Sequence, residues 1–170
     1  MVLSFDEKGK TAVKVYGGRK WAVGKYYHVP YKQKVSRLFD LFAARNLHTG
    51  QVHHKFYLWK NSFIVRDFYE HLITLYPDKD IYIIRDGWSA HKSATTRIFL
   101  DLHPRLHDVP LPTCASWMNP IERDFSRIDN EVLKNSCFIS AEEAQDMVTG
   151  FIDDELCANG KRKKNRYRNL

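Results

Sequence analysis

Three carboxylates occupy positions from which they could act together: Asp6, Asp86 and Glu122. Asp6 closes a short apolar segment, Val2-Leu3-Ser4-Phe5, that suits a strand. Asp86 follows Ile81-Tyr82-Ile83-Ile84, a continuous apolar run of the kind buried on both faces of a parallel sheet. It therefore stands at the carboxyl end of a strand, where open α/β sheets bind ligands. Glu122 falls in the first turn of a helix. Three hard oxygen donors without a His or Cys cluster suit Mg²⁺ or Mn²⁺ rather than zinc. Two such ions ~4 Å apart can activate a water or a 3′-hydroxyl and stabilise the leaving oxygen in phosphoryl transfer. Gathered without a cation, three carboxylates would repel one another and tend to hold protons. Each residue also has a purely structural reading. Asp6-Glu7-Lys8-Gly9 has hairpin composition, and Asp86-Gly87 is a common turn dipeptide. Asn119-Pro120-Ile121-Glu122 is a good helix start, with Asn at the N-cap, Pro at the first helical position and Glu near the positive end of the helix dipole.

The elements that must position these residues can be read from periodicity. Val2 to Asp6 is the first core strand, Gly9 marks a turn, and Thr11 to Tyr16 alternates like a short rim extension. Residues 17–33 have no period and form a long loop. Val35 to Ala44 and Gln51 to Leu58 read as the second and third strands, with a turn over Asn46 to Gly50, so the first three strands form an antiparallel meander. Ile64, Phe68, Leu72 and Leu75 then recur at helical spacing, capped by Asn61 or Ser62 and stopped by Pro77. Ile81 to Ile84 is the fourth strand, Lys92 to His103 a helix, Leu106 to Leu111 the fifth strand, and Asn119 to Leu133 a further helix. Ser140-Ala141-Glu142-Glu143 is a capping box that opens a last helix to about Leu156. This order predicts an α/β fold with a mixed five-stranded sheet flanked by helices, and if the first and fourth strands are neighbours, Asp6 and Asp86 lie side by side.

Charge points to a polyanionic partner. Lys8, Lys10, Lys14, Arg19, Lys20, Lys25, Lys32, Lys34 and Arg37 lie in a stretch without a single Asp or Glu. Lys161, Arg162, Lys163, Lys164, Arg166 and Arg168 form a basic tail. The net charge is +7, so the rest of the chain is acidic. Basic runs are also common as solvated loops and tails. Tyr16, Trp21, Tyr26, Tyr27 and Tyr31 interleave with the lysines, suited either to stacking on bases or to packing the loop on the body. Nucleic acid is the partner this distribution favours. No apolar run reaches the ~20 residues of a membrane span, and the N-terminus lacks the pattern of a signal peptide. Cys114, Cys137 and Cys157 form no CxxC pair, which fits a reducing cytoplasm. His53 and His54 must face opposite sides of a strand and are poor joint ligands.

Three segments carry a family resemblance. They are Asp6-Glu7-Lys8-Gly9, Tyr82-Ile83-Ile84-Arg85-Asp86 with His91 beyond it, and above all Pro112-Thr113-Cys114-Ala115-Ser116-Trp117-Met118-Asn119-Pro120-Ile121-Glu122. Trp21, Asn46-Leu47-His48-Thr49-Gly50 and the 35 residues between Asp86 and Glu122 agree with them. Over about residues 2 to 150 the chain resembles DDE transposases of the bacterial insertion-sequence branch of the Tc/mariner superfamily. The resemblance implies an RNase H-like catalytic domain over residues 1–157, with sheet order 3-2-1-4-5, followed by a basic tail over 158–170. It implies a triad of Asp6, Asp86 and Glu122 holding two Mg²⁺ or Mn²⁺ ions, with His91 and Asn119 supporting them. It further implies hydrolysis at transposon ends, then strand transfer into target DNA by a homodimer.

On the same resemblance, residues 16–37 are a clamp-like loop reaching to DNA or a partner subunit. Lys8, Lys10, Arg19, Lys20, Trp21, Lys25, Lys32, Lys34, Arg37 and Lys161, Arg162, Lys163 and Lys164 would then contact DNA. Trp117 and Met118 are expected to pack so as to position Glu122. Members of this group usually carry an N-terminal helix-turn-helix region, whereas five residues precede Asp6 here. The expectation is a truncated copy, the second frame of a split gene, or an excised domain. Two other readings are a nuclease of the same fold and a nucleic-acid-binding remnant without transposition activity.

Overall fold

The chain builds a central sheet of five strands: β1 (Val2–Ala12), β2 (Leu38–Asn46), β3 (Val52–Tyr57), β4 (Ile81–Arg85) and β5 (Leu106–Pro110). Their order is β3-β2-β1-β4-β5, as the sequence predicts. β1, β2 and β3 pair antiparallel, while β4 pairs parallel with both β1 and β5. The helices are α1 (Ser62–Leu75), α2 (Ala94–Leu102), α3 (Ile121–Ile128) and α4 (Ala141–Phe151). The computed structural model describes residues 1–12, 38–134, 136, 138 and 140–157. The expected clamp-like loop and basic tail lie outside these residues.

Side-chain alternation along the strands divides the core in two. Leu3 and Phe5 of β1, Phe42 and Ala44 of β2, and Ile81 and Ile83 of β4 pack under α1 and α2, against Val65, Phe68, Tyr69, Leu72 and Phe99. Leu41 and Ala43 of β2 face the other way, against Ile121, Phe125 and Ile128 of α3 and Val148 and Phe151 of α4. A fully buried phenylalanine such as Phe5 or Phe68 contributes about 1.5–3 kcal/mol by leaving water. Because successive side chains alternate, Ser4 and Asp6 point to the α3 face and Glu7 to the α1 face.

Four local expectations need correction. Gly9 does not turn the chain: β1 runs on to Ala12. The register slips between Lys8 and Thr11, Lys10 adopts φ 23°, and its N–H donates to Asp40 Oδ1 at 2.7 Å. That side-chain acceptor lets the strand carry the irregularity without losing a hydrogen bond. The helix predicted from Lys92 begins at Ala94, with Ser93 as N-cap, and Lys92 closes a preceding 3₁₀ turn, Ser89–Lys92. The helix predicted over Asn119 to Leu133 is α-helical only over Ile121–Ile128, and a π-helical turn, Asp129–Leu133, follows it. Asn119 is not its N-cap. Pro120 holds that position, and the Asn119 side chain turns away toward β1.

Candidate active site

The parallel pairing of β1 with β4 brings two aspartates to one edge of the sheet. Ser4 lies opposite Ile84, and Asp6 and Asp86 each follow two residues later. Asp86 sits just past β4, where its Oδ1 accepts from the Trp88 N–H at 3.0 Å. Its carbonyl accepts from Arg85 Nη1 at 2.8 Å, and Arg85 Nε is anchored in turn on Asp108 of β5 at 2.8 Å.

The glutamate arrives by a separate tether. Ser4 and Asn119 are both fully buried, and the Ser4 hydroxyl donates to Asn119 Oδ1 while accepting from the Ile121 N–H at 3.0 Å. Asn119 Nδ2 donates to the Phe5 carbonyl at 2.8 Å and reaches Asp6 Oδ2 at 3.3 Å. These bonds pin the first turn of α3 onto β1, and Glu122 is the second residue of that helix. Arg45 of β2 adds an ion pair to buried Asp124 at 2.7 Å. Trp117 and Met118 do not do this work: they are 79% and 50% exposed.

Asp6, Asp86 and Glu122 therefore line one cleft of about 520 Å³, together with Glu7, Lys60, Trp88, Lys92 and the loop from Pro112 to Ser116. Burial pushes the Asp6 carboxyl up. The Glu7 N–H, donating to its Oδ1 at 2.8 Å, works against this, and the charges of Glu7, Asp86 and Glu122 add to it. The result is a pKa of about 7. Lys60 Nζ lies 4.7 Å from the centre of the Trp88 ring. A smaller apolar cavity, about 160 Å³, is lined by Ile73, Tyr76, Ile81, Leu102 and Leu106. It lies toward the start of β4 and β5, at the other end of the sheet, and holds no carboxylate.

Behind the cleft lies a second polar group. His91 Nε2 is 3.0 Å from Glu7 Oε1 and 3.6 Å from Asp86 Oδ1, and the Glu7 and His91 side chains are 2% and 1% exposed. The donor atoms of Glu7, Asp86 and His91 lie within 4.8 Å of one another. The tightest cluster among the described residues is thus not the expected trio, since Asp6 and Glu122 stand outside it. Glu7 escaped the sequence reading because it adjoins Asp6 and resembles the polar start of a hairpin. Lys60 escaped because no motif surrounds it.

The other expected site residues divide. Lys8 pairs with Asp129 at 2.7 Å, and its side chain is 17% exposed. Asp129, on the same helical stretch as Glu122, is engaged by that pair. Lys10 is exposed at the bulge. Arg19, Lys20, Trp21, Lys25, Lys32, Lys34, Arg37, Lys161, Arg162, Lys163 and Lys164 lie outside the described residues. His53 and His54 do face apart, contacting Tyr76 of the α1 side and Thr149 of α4.

This three-layer arrangement, with acidic residues at the edge shared by β1 and β4, is the RNase H-like fold of transposase and integrase catalytic cores. Residues 1–145 match the DDE superfamily endonuclease family, and the chain belongs to it. Among solved structures it is similar to the Mos1 transposase paired-end complex with left transposon end. That likeness has a TM-score of 0.69 at 13% identity, over 89% of this chain and 47% of the other. The catalytic domain of Mos1 mariner transposase gives 0.62 at 10% identity, over 89% and 69%. The HTLV-2 integrase catalytic core domain, in complex with magnesium, gives 0.57 at 14% identity, over 94% and 90%. The chain spans about half the length of the Mos1 transposase chain in the paired-end complex. No curated protein sequence matches it. Among the described residues no helix is long and apolar enough to cross a membrane.

Proposed function

We propose that this chain is the catalytic domain of a DNA transposase of the bacterial insertion-sequence branch of the Tc/mariner superfamily, cleaving transposon ends and joining them to target DNA. The observation that carries the reading is the convergence of Asp6, Asp86 and Glu122 on one open cleft, with Asp6 driven up to about 7 by burial and by like charges. Such a set fits divalent cations with a preference for oxygen: a cation offsets both the burial and the like charges that raise Asp6. Glu7, Asp86 and His91 fit less well as the reactive site. The Glu7 and His91 side chains are almost wholly buried, and of the three only Asp86 is substantially open to a substrate.

Asp6, Asp86 and Glu122 would hold the ions, and His91 and Asn119 would steady Asp86 and Asp6 from behind. When bound, a pair of Mg²⁺ or Mn²⁺ ions supplies a water or 3′-hydroxyl of lowered pKa and neutralises charge on the phosphate. The chain's own residues fix the carboxylates. β1 and β4 hold the two aspartates in register, and the Ser4–Asn119 tether brings the glutamate to them. Lys10, the 16–37 loop and the tail would meet DNA phosphates, and a homodimer would pair two ends. The Mos1 complexes with transposon DNA support this reading by likeness of fold.

The test is incubation with Mn²⁺, a supercoiled plasmid and a labelled duplex bearing a free 3′-hydroxyl. Nicking and joining, both lost in Asp86→Ala, are expected. Nicking without joining would indicate a nuclease. Equal DNA binding by both proteins, with no cutting by either, would indicate a non-enzymatic remnant.

A further inference from the structure

We propose that Glu7, acting through His91, is a positioning residue for Asp86, and that it orients one oxygen of the Asp86 carboxylate toward the cleft. The inference rests on the reading of Asp86 as a metal-holding residue. Its starting point is an imbalance behind the site. Glu7 Oε1 and His91 Nε2 are both completely buried, and neither has an aligned hydrogen bond, although they stand 3.0 Å apart. A buried carboxylate oxygen without a partner is strongly disfavoured. At 3.0 Å each is the other's nearest polar partner.

The ring is confined by its neighbours. Phe5 and Trp88 meet it edge-on with centroids 5.5 and 5.4 Å away, and Tyr69 lies parallel to it at 6.5 Å. The Tyr69 hydroxyl is 3.5 Å from Nδ1, and the His91 backbone N–H donates to the Trp88 carbonyl at 3.2 Å. Nε2 is thus aimed between two carboxylates, Glu7 at 3.0 Å and Asp86 Oδ1 at 3.6 Å. Asp86 Oδ1 is also the oxygen that accepts from the Trp88 N–H. The Trp88 N–H bonds Oδ1 and draws it inward, the Nε2–H that faces Glu7 adds its dipole across 3.6 Å, and Asp86 Oδ2 has no hydrogen bond among the described residues. One carboxylate oxygen is tied down while the other remains available to a ligand. This is how supporting residues behind a metal site act: they fix the orientation of the ligating group, and their loss typically weakens metal affinity about 10- to 100-fold.

The experiment uses the whole chain and Mn²⁺ alone, with the dissociation constant measured by electron paramagnetic resonance and folding followed by thermal melting in EDTA. Glu7→Gln and His91→Gln are each expected to weaken Mn²⁺ binding about 10-fold or more. Because Glu7 acts through the imidazole, the double variant should be no weaker than His91→Gln alone. If Glu7→Gln does not fold, Glu7→Asp shortens the side chain out of reach of His91 and should show the same loss. Additive losses in the double variant, or unchanged Mn²⁺ affinity in the folded single variants, would overturn the inference. So would stoichiometric zinc retained after desalting and lost in His91→Gln, because the imidazole would then be a ligand rather than a brace. Asp86→Ala separates the two levels. If it loses Mn²⁺ while Glu7→Gln and His91→Gln keep it, this inference alone fails. If Asp86→Ala binds Mn²⁺ like the parent, the reading of the site fails and takes the inference with it.

Discussion

A carboxylate buried at Asp6 is tolerated only at a cost, and that cost has a definite pH dependence. Its pKa stands at about 7 in the fold against an ordinary value near 3.8. Between those values the folded protein holds a proton that the unfolded chain has released, so stability falls as pH rises and levels off above pH 7. Asp6→Asn removes the charge. In EDTA at pH 8 it should be more stable than the parent by up to a few kcal/mol, with the gap closing toward pH 4. Added Mn²⁺ should stabilise the parent and not the variant. Melting curves across this range check the prediction, and a gap that is independent of pH would contradict it. At this scale the sequence revealed the three carboxylates, because each stands at the edge of a recognisable element. It concealed Glu7, because neighbouring strand residues face opposite ways and only the paired sheet reveals what lies behind each.

Elements decide whether those residues meet. β1 and β4 supply Asp6 and Asp86 through parallel register alone, but α3 must be drawn down onto the sheet, and Ser4 with Asn119 does this. Ser4→Ala strips a buried acceptor from the Ile121 N–H and a donor from Asn119 Oδ1. It should destabilise the protein by about 1–3 kcal/mol in urea titrations. Cleavage should fall further than the folded fraction does, because Glu122 loses its tether. A variant with parental stability and cutting rate would refute this role. The same residue shows why local reading went astray: Asn before Pro has the composition of a helix cap, and nothing near it in sequence says that its partners lie over a hundred residues away. Trp117 misled similarly, since a tryptophan beside a functional residue suggests packing, yet this one faces solvent. The bulge in β1 depends on Asp40 from another strand, and so Gly9 read as a turn.

For the whole molecule, alternation and helical period were enough to give a mixed sheet with helices on its faces, and the family resemblance supplied the strand order. A meander followed by two helical crossovers has few arrangements, and of the two free edges β4 joins the one beside β1. Two apolar faces on β2, Leu41 and Ala43 against Phe42 and Ala44, then require helices on both sides. Charge was legible as a total but not as individual contacts: Lys8 counted as a basic-patch residue and proves to be engaged with Asp129.

The central claim is that Asp6, Asp86 and Glu122 together hold divalent metal at the edge shared by β1 and β4. Anomalous diffraction from crystals of the chain soaked in Mn²⁺ tests it most directly. The account predicts a manganese peak in the cleft, coordinated by Asp6 and Asp86 with Glu122 facing it, and no peak there in Asp86→Ala. A peak held by Glu7 and His91 instead, or an empty cleft at saturating Mn²⁺, would contradict it.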